Sequence, residues 1–125
     1  MQTSLTSRTF KTARFNKAAK KAGIGDVELC KAVLQIIGGL ADDLGGGVFK
    51  KRLNDNMHRS IVLAKGGRYW VYEYLFAKKD RDNIGDDELA AFRLLAKGYA
   101  SITEKQAAQL VKDKQFLEIC RDDKA

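Results

Sequence analysis

Two glycine runs, Gly45-Gly46-Gly47 and Gly66-Gly67, punctuate the one stretch of the chain where apolar residues stop recurring with a helical period. Around them stand VFKKRL, HRSIVLA and RYWVYEYLFA, whose branched and aromatic residues suit a pleated, half-buried surface. Gly66-Gly67, flanked by Lys65 and Arg68, is a strong hairpin signal, because both central positions of a type I′ turn need positive φ. A two-residue loop there sets Lys65 opposite Arg68, Leu63 opposite Trp70, Ile61 opposite Tyr72 and Arg59 opposite Tyr74 on one side of the sheet. The other side then pairs Ala64 with Tyr69, Val62 with Val71, Ser60 with Glu73 and His58 with Leu75. Both sides are apolar through the middle, so both are expected to be partly covered. Polar residues collect at the strand ends, where a site can open.

Helical periodicity governs the rest. Arg14 to Ala22 places Phe15, Ala18, Ala19 and Ala22 on one stripe, with Lys17, Lys20 and Lys21 outside it. Gly23 and Gly25 break that helix, and Asp26 is placed to cap a second one running to about Ile37. A strand near Thr9 to Thr12 precedes the pair. After the polar run KKDRDNIGDDE a helix is expected from about Asp87 to Lys97. Ser101 or Thr103 can cap a last helix, and FLEIC can add a short strand or a docked segment. The sequence holds no proline and no low-complexity linker, so residues 1 to 125 are expected to form one α+β unit. At 13.9 kDa with 45% apolar residues, the chain can fill a core without staples but is too short for a doubly wound cofactor-binding enzyme.

Cys30 and Cys120 lie in apolar-periodic stretches far apart in the chain and are read as buried thiols, with a disulfide as the alternative. One histidine and no CxxC or HxxxH spacing give no basis for a metal centre. The first residues lack an apolar signal region and no stretch approaches the length of a membrane span. The expected setting is therefore the cytoplasm, where thiols stay reduced.

The net charge of +7 is local: residues 1 to 82 carry 16 of the 23 basic side chains but 8 of the 16 acidic ones. Its dense parts are Arg8, Lys11, Arg14, Lys17, Lys20 and Lys21, and then Lys50, Lys51, Arg52, Arg59, Lys65, Arg68, Lys78, Lys79 and Arg81 around the sheet. Such groups hold phosphates while neighbouring rings stack on bases, which is what an RNA-binding surface needs, and a solvated face has the same composition. In the KKR run, Lys50 and Arg52 should share one face and Lys51 the other. Tyr69, Trp70, Tyr72, Tyr74 and Phe76 read as core or interface residues before they read as stacking platforms.

The segments DLGGGVFKKRL, HRS, YLFAKKDRDNI and DDELAAFRLLA, with the opening F-x-x-A-x-K helix and the closing FLEI, resemble the RelE/ParE-type toxins of toxin-antitoxin modules. The likeness is greatest to their RelE-like or HigB-like subgroup and covers nearly the whole chain. It implies a small antiparallel sheet packed against two N-terminal helices, with additional C-terminal helices. It also implies an antitoxin that wraps and neutralises the protein, the ribosome and mRNA as targets, no membrane, and DNA contact only through the antitoxin complex. Many members of the subgroup carry GKSGGYR before the central strand. This chain has DNMHRS there, so His58 and Arg59 stand for the Tyr-Arg pair and the glycine loop is missing.

RNA cleavage by its own 2′-hydroxyl needs removal of that proton, stabilisation of the phosphoryl charge and protonation of the leaving oxygen, and it needs neither metal nor cofactor. His58 is the side chain whose ordinary titration suits proton transfer near neutrality, although a histidine at a strand start also has a plain structural reading. Arg59 and Arg52 are the phosphate ligands expected beside it, completing the catalytic set. Lys50, Lys51, Lys65, Arg68, Lys78 and Arg81 are expected to bind RNA. Glu73 is an alternative base, with a hydrogen bond to its expected cross-strand neighbour Ser60 as the structural explanation. A ParE-like inhibitor of DNA gyrase and a toxin-fold interaction protein without catalysis are the competing functions.

Overall fold

The computed structural model describes residues 7 to 121. In chain order the elements are β1 (Arg8–Thr12), α1 (Ala13–Ala22), α2 (Asp26–Ile37), β2 (Asp42–Asp43), β3 (Val48–Leu53), β4 (His58–Leu63), β5 (Tyr69–Ala77), α3 (Asp86–Ala100), α4 (Glu104–Lys112) and β6 (Phe116–Ile119). The strands form one sheet in the order β2-β3-β4-β5-β1-β6, antiparallel throughout except between β1 and β5. The α+β class and the helices flanking the sheet match the sequence expectation. The short β2 and the parallel pair had no signature in it.

Capping explains most helix ends. The Thr12 hydroxyl accepts from the Phe15 N–H, and α1 closes on Gly23 at a φ of 76°, a conformation glycine adopts without strain. In α4, Thr103 and Gln106 satisfy each other's backbone N–H groups. Asp26 does not cap α2 as expected. Gly25 takes that position, and the Asp26 carboxylate accepts from Lys11 Nζ at 2.6 Å. The Lys11 side chain is almost wholly buried, and a buried ammonium without a partner is costly, so the ion pair claims the carboxylate.

Helices α1 and α2 cover one face, packing Phe15, Ala19, Leu29, Val33 and Ile36 against Leu53, Val62 and Tyr72. The Tyr72 hydroxyl, at the bottom of this layer, donates to the Leu29 carbonyl at 2.6 Å. On the opposite face, α3 sets Phe92 and Ala96 on Val48, Ile61, Leu63 and Phe76, while α4 adds Ala107 to Phe10, Tyr69, Val71 and Phe116. Each fully buried side chain of this size contributes about 2 kcal/mol, against at most about 1 kcal/mol for an exposed ion pair, so the two apolar layers hold the sheet.

The hairpin register departs from expectation. Leu63 lies opposite Val71 and Val62 opposite Tyr72. Past a bulge, Ile61 then faces Tyr74, Ser60 faces Leu75, Arg59 faces Phe76 and His58 faces Ala77. Gly66 and Gly67 do take positive φ, at 91° and 76°. The loop is wider than two residues, however: the last pair before the turn is Leu63 with Val71, while the Ala64 N–H turns to the β3 side and donates to the Gly47 carbonyl at 2.8 Å. Gly47 is fixed by that contact: its φ is 86°, and a Cβ there would lie 2.6 Å from Lys65 Cβ. The bulge then adds Glu73 as a residue without a partner on β4. Ser60 therefore never meets Glu73, and its hydroxyl donates to the Lys51 carbonyl.

The two cysteines are also not free thiols. Cys30 and Cys120 form a disulfide with their Cα atoms 5.3 Å apart. The sheet order sets β6 beside β1, and Cys120, just past the end of β6, meets Cys30 on α2. A separation of 90 residues hides that adjacency from any local reading of the sequence.

Candidate functional site

β1 gives way to α1 after Thr12, so its pairing with β5 stops at Lys11 opposite Tyr72. From Glu73 to Ala77, β5 has no strand on that side, and two cavities open along the edge. The first, of about 390 Å³, is lined by Thr12, Ala13, Arg14, Glu73, Tyr99, Leu110, Gln115 and Phe116. The second, of about 630 Å³, lies between Ala18, Lys21 and Ala22 of α1 and His58, residues 74 to 77 and residues 79 to 81.

The structure gathers most of the expected site at one end of the sheet. Arg52 and Arg59 are direct cross-strand partners, and Lys50, opposite Ile61, shares their face. Arg52 is exposed, Lys50 Nζ donates to Asn83 Oδ1 at 3.3 Å, and Arg59 Nη1 donates to the Asn56 carbonyl at 2.9 Å. His58, one residue before Arg59, points to the opposite face and lines the second cavity with Lys21 and Lys79. The Asn54 side-chain amide nitrogen lies 3.1 Å from His58 Nδ1 and holds the ring in place. Lys78 extends the ladder through its N–H to the Met57 carbonyl and is exposed. Arg81 lines the second cavity, held by the Glu88 carboxylate and the Tyr74 hydroxyl. These bonds raise the pKa of Arg81 and lower that of Glu88.

Three expected RNA ligands stand apart from this group. Lys51 turns to the other face, where its Nζ donates to the Leu40 carbonyl at 2.9 Å and burial pushes its pKa down. Lys65 and Arg68 sit at the turn end of the hairpin, roughly 20 Å along the strands from His58. Arg68 there donates to the Tyr69 hydroxyl and the Ile102 carbonyl, both at 2.9 Å, and covers the Tyr69 ring. Its charge is spent on fastening the turn to the loop before α4.

The turn that replaces the glycine loop has its own device. Asn54, Asp55 and Asn56 take φ values of 54°, 52° and 72°. Asparagine and aspartate tolerate the left-handed region better than other side chains, so this turn does with them what glycines do elsewhere. The Asn54 N–H also donates to the Glu28 carboxylate of α2, fixing the turn to the helical layer.

Glu73, the alternative base expected from the sequence, has partners that the sequence did not name. The bulge at Glu73 directs its carboxylate into the first cavity, where Oε1 accepts from the Tyr99 hydroxyl at 2.8 Å and Oε2 from Arg14 Nη2 at 3.3 Å. Arg14 Nε donates to the Glu73 carbonyl, and its guanidinium carbon lies 5.1 Å from the centre of the Tyr74 ring. Burial raises the Glu73 pKa, and the bonds from Tyr99 and Arg14 offset that only in part. The Tyr99 pKa is raised as well, first by burial and then by the adjacent carboxylate. A single acidic residue amid apolar ones in YWVYEYLFA was the available signal; its partners on α1 and α3 were not.

Among the described residues no cluster of His, Cys, Asp and Glu is placed to hold a metal ion, and no helix is long and apolar enough to cross a membrane. A comparison with curated proteins finds no match. The sequence does match the family described as the RelE toxin of the RelE / RelB toxin-antitoxin system, over residues 7 to 119. That range takes in the basic sheet end and both edge cavities, and the chain belongs to the RelE toxin family.

Proposed function

We propose that this toxin is a ribosome-dependent mRNA endoribonuclease that arrests translation in the cytoplasm, acts as one domain spanning the whole chain, and is neutralised by its cognate antitoxin. The observation that carries the reading is the basic sheet end: Arg52 and Arg59 face each other, with Lys50 on the same face and Lys78 exposed nearby. Guanidinium groups at that spacing suit the phosphates of a single strand. Arg52 and Arg59 act as phosphate ligands, Lys50, Lys78 and Arg81 strengthen the field, and His58 stands at the rim of the adjoining cavity as a proton-transfer group. The chemistry uses the 2′-hydroxyl of the RNA itself and requires no metal.

A purified translation reaction with one defined mRNA, its ends read by primer extension, tests the proposal. Discrete cuts that require translating ribosomes are the expected result, and intact mRNA with folded, antitoxin-free protein refutes it. One observation favours a second reading, a toxin-fold protein that binds its antitoxin without cleaving: Arg59 and Arg81 each already have acceptors within the chain. Antitoxin capture together with intact mRNA would establish that reading.

A further inference from the structure

We propose that Glu73 is the group that accepts the 2′-hydroxyl proton during RNA cleavage, with Arg14 as the ligand of the reacting phosphate. This rests on the ribonuclease reading above and names the site where the bond breaks. Three independent features converge on it. The first is the bulge, which takes Glu73 out of register with β4 and turns it from a sheet residue into a cavity residue. The second is access: the Glu73 side chain is 8% exposed at the floor of an open cavity, while Arg14 at the rim is 58% exposed. The third is the direction of the guanidinium donors. Arg14 Nε and Nη2 are engaged by Glu73, whereas Nη1 donates to no protein group among the described residues and is left for a phosphoryl oxygen.

The charged and titratable groups facing Glu73 are Arg14 from α1 and Tyr99 from α3, while α4 and the start of β6 bring only Leu110, Gln115 and Phe116. Tyr99 keeps its proton and positions the carboxylate. In the step itself, the 2′-oxygen gives its proton to Glu73 and its electron pair to phosphorus. The phosphorus–5′-oxygen bond breaks, and its electron pair leaves with the 5′-oxygen, which takes a solvent proton through His58, the proton-transfer group proposed above. Glu73 releases its proton to solvent, and the products are a 2′,3′-cyclic phosphate and a 5′-hydroxyl. A carboxyl group whose burial lifts its pKa toward neutrality is better matched to this transfer than an ordinary surface glutamate.

Single-turnover cleavage on programmed ribosomes, measured across pH, tests the assignment. Wild-type protein should show a rate that climbs with pH through the titration of a carboxyl group raised above its ordinary range. Glu73→Gln, nearly isosteric, should cut at least 100-fold more slowly while still co-sedimenting with ribosomes and melting as a folded protein. Tyr99→Phe removes a bond that favours the carboxylate, so the ascending limb should move to higher pH, which a purely structural role would not produce. Unchanged cleavage by Glu73→Gln, or a limb that stays in place in Tyr99→Phe, overturns the assignment and leaves the ribonuclease reading standing. Absence of cleavage by the wild-type protein overturns both.

Discussion

The two ends of the β4–β5 hairpin carry similar basic residues and use them differently. At the turn end Arg68 is locked onto Ile102 and Tyr69, and Gly47 presses against Lys65. At the open end Arg52 and Lys78 are exposed, and the edge of β5 beyond Tyr72 has no neighbouring strand. Charge counted along the sequence treats the two ends alike. What separates them is how many cations stay free: loops converging on the turn engage Arg68, whereas at the open end Arg59 donates to the Asn56 carbonyl but Arg52 and Lys78 remain exposed.

The sharpest test of that contrast is functional. Arg52→Ala combined with Arg59→Ala should lower mRNA cleavage by about 100-fold or more, the scale of losing two charge-assisted phosphate contacts, with little change in melting temperature. Arg68→Ala should do the reverse, leaving cleavage near wild type and costing about 1 kcal/mol of stability in urea unfolding. Equal losses of activity from both ends would erase the distinction.

Next in size is Gly47→Ala, which forces a side chain into the left-handed region and onto Lys65. A destabilisation of about 2 kcal/mol is expected, read as a lower urea midpoint at unchanged slope. At the open end, Asn56→Gly relieves a positive φ of 72° and should stabilise by less than about 1 kcal/mol. Opposite signs for a glycine lost at one end and a glycine gained at the other would confirm that both turns depend on the same backbone conformation.

Glu73, between the two ends, supplies a pH signature. Its folded pKa lies above the unfolded one, so in the interval between them the folded state holds the extra proton, and stability falls as pH rises through that interval. Glu73→Gln lacks this loss. The variant should therefore match the wild type in acid and gain on it as pH rises past the ordinary glutamate range, in thermal melts across pH. A difference independent of pH would mean that the carboxylate is not desolvated as its surroundings require.

Much of this molecule was legible beforehand because hydrophobic period and turn chemistry are local. The strands around Ile61 and Val71, the α1 stripe from Phe15 to Ala19 and the Thr103 cap all follow from neighbours within a few residues. The partnership of Arg52 with Arg59 followed from strand adjacency. The errors share a different origin. The pairing of Ser60 with Glu73 failed because a wider loop and one bulge residue each moved the register by one. Lys65 and Arg68 were grouped with a site at the far end of their own hairpin, since charge counting carries no distance. The contacts of Glu73 with Arg14 and Tyr99, and of Cys30 with Cys120, exist only once β1 and β6 have joined the sheet.

The Cys30–Cys120 bridge closes a covalent ring that encloses the whole β3–β5 core together with α3 and α4. A protease that cuts the polar loop after β5 would leave two pieces still tethered, separable only after reduction. A motor pulling the chain from its C-terminal end would meet that knotless but closed ring before it reached the sheet. It would have to drag three segments of polypeptide through its pore at once, the chain before Cys120 and both arms that leave Cys30, so the redox state of a single bond would set how readily this toxin is cleared.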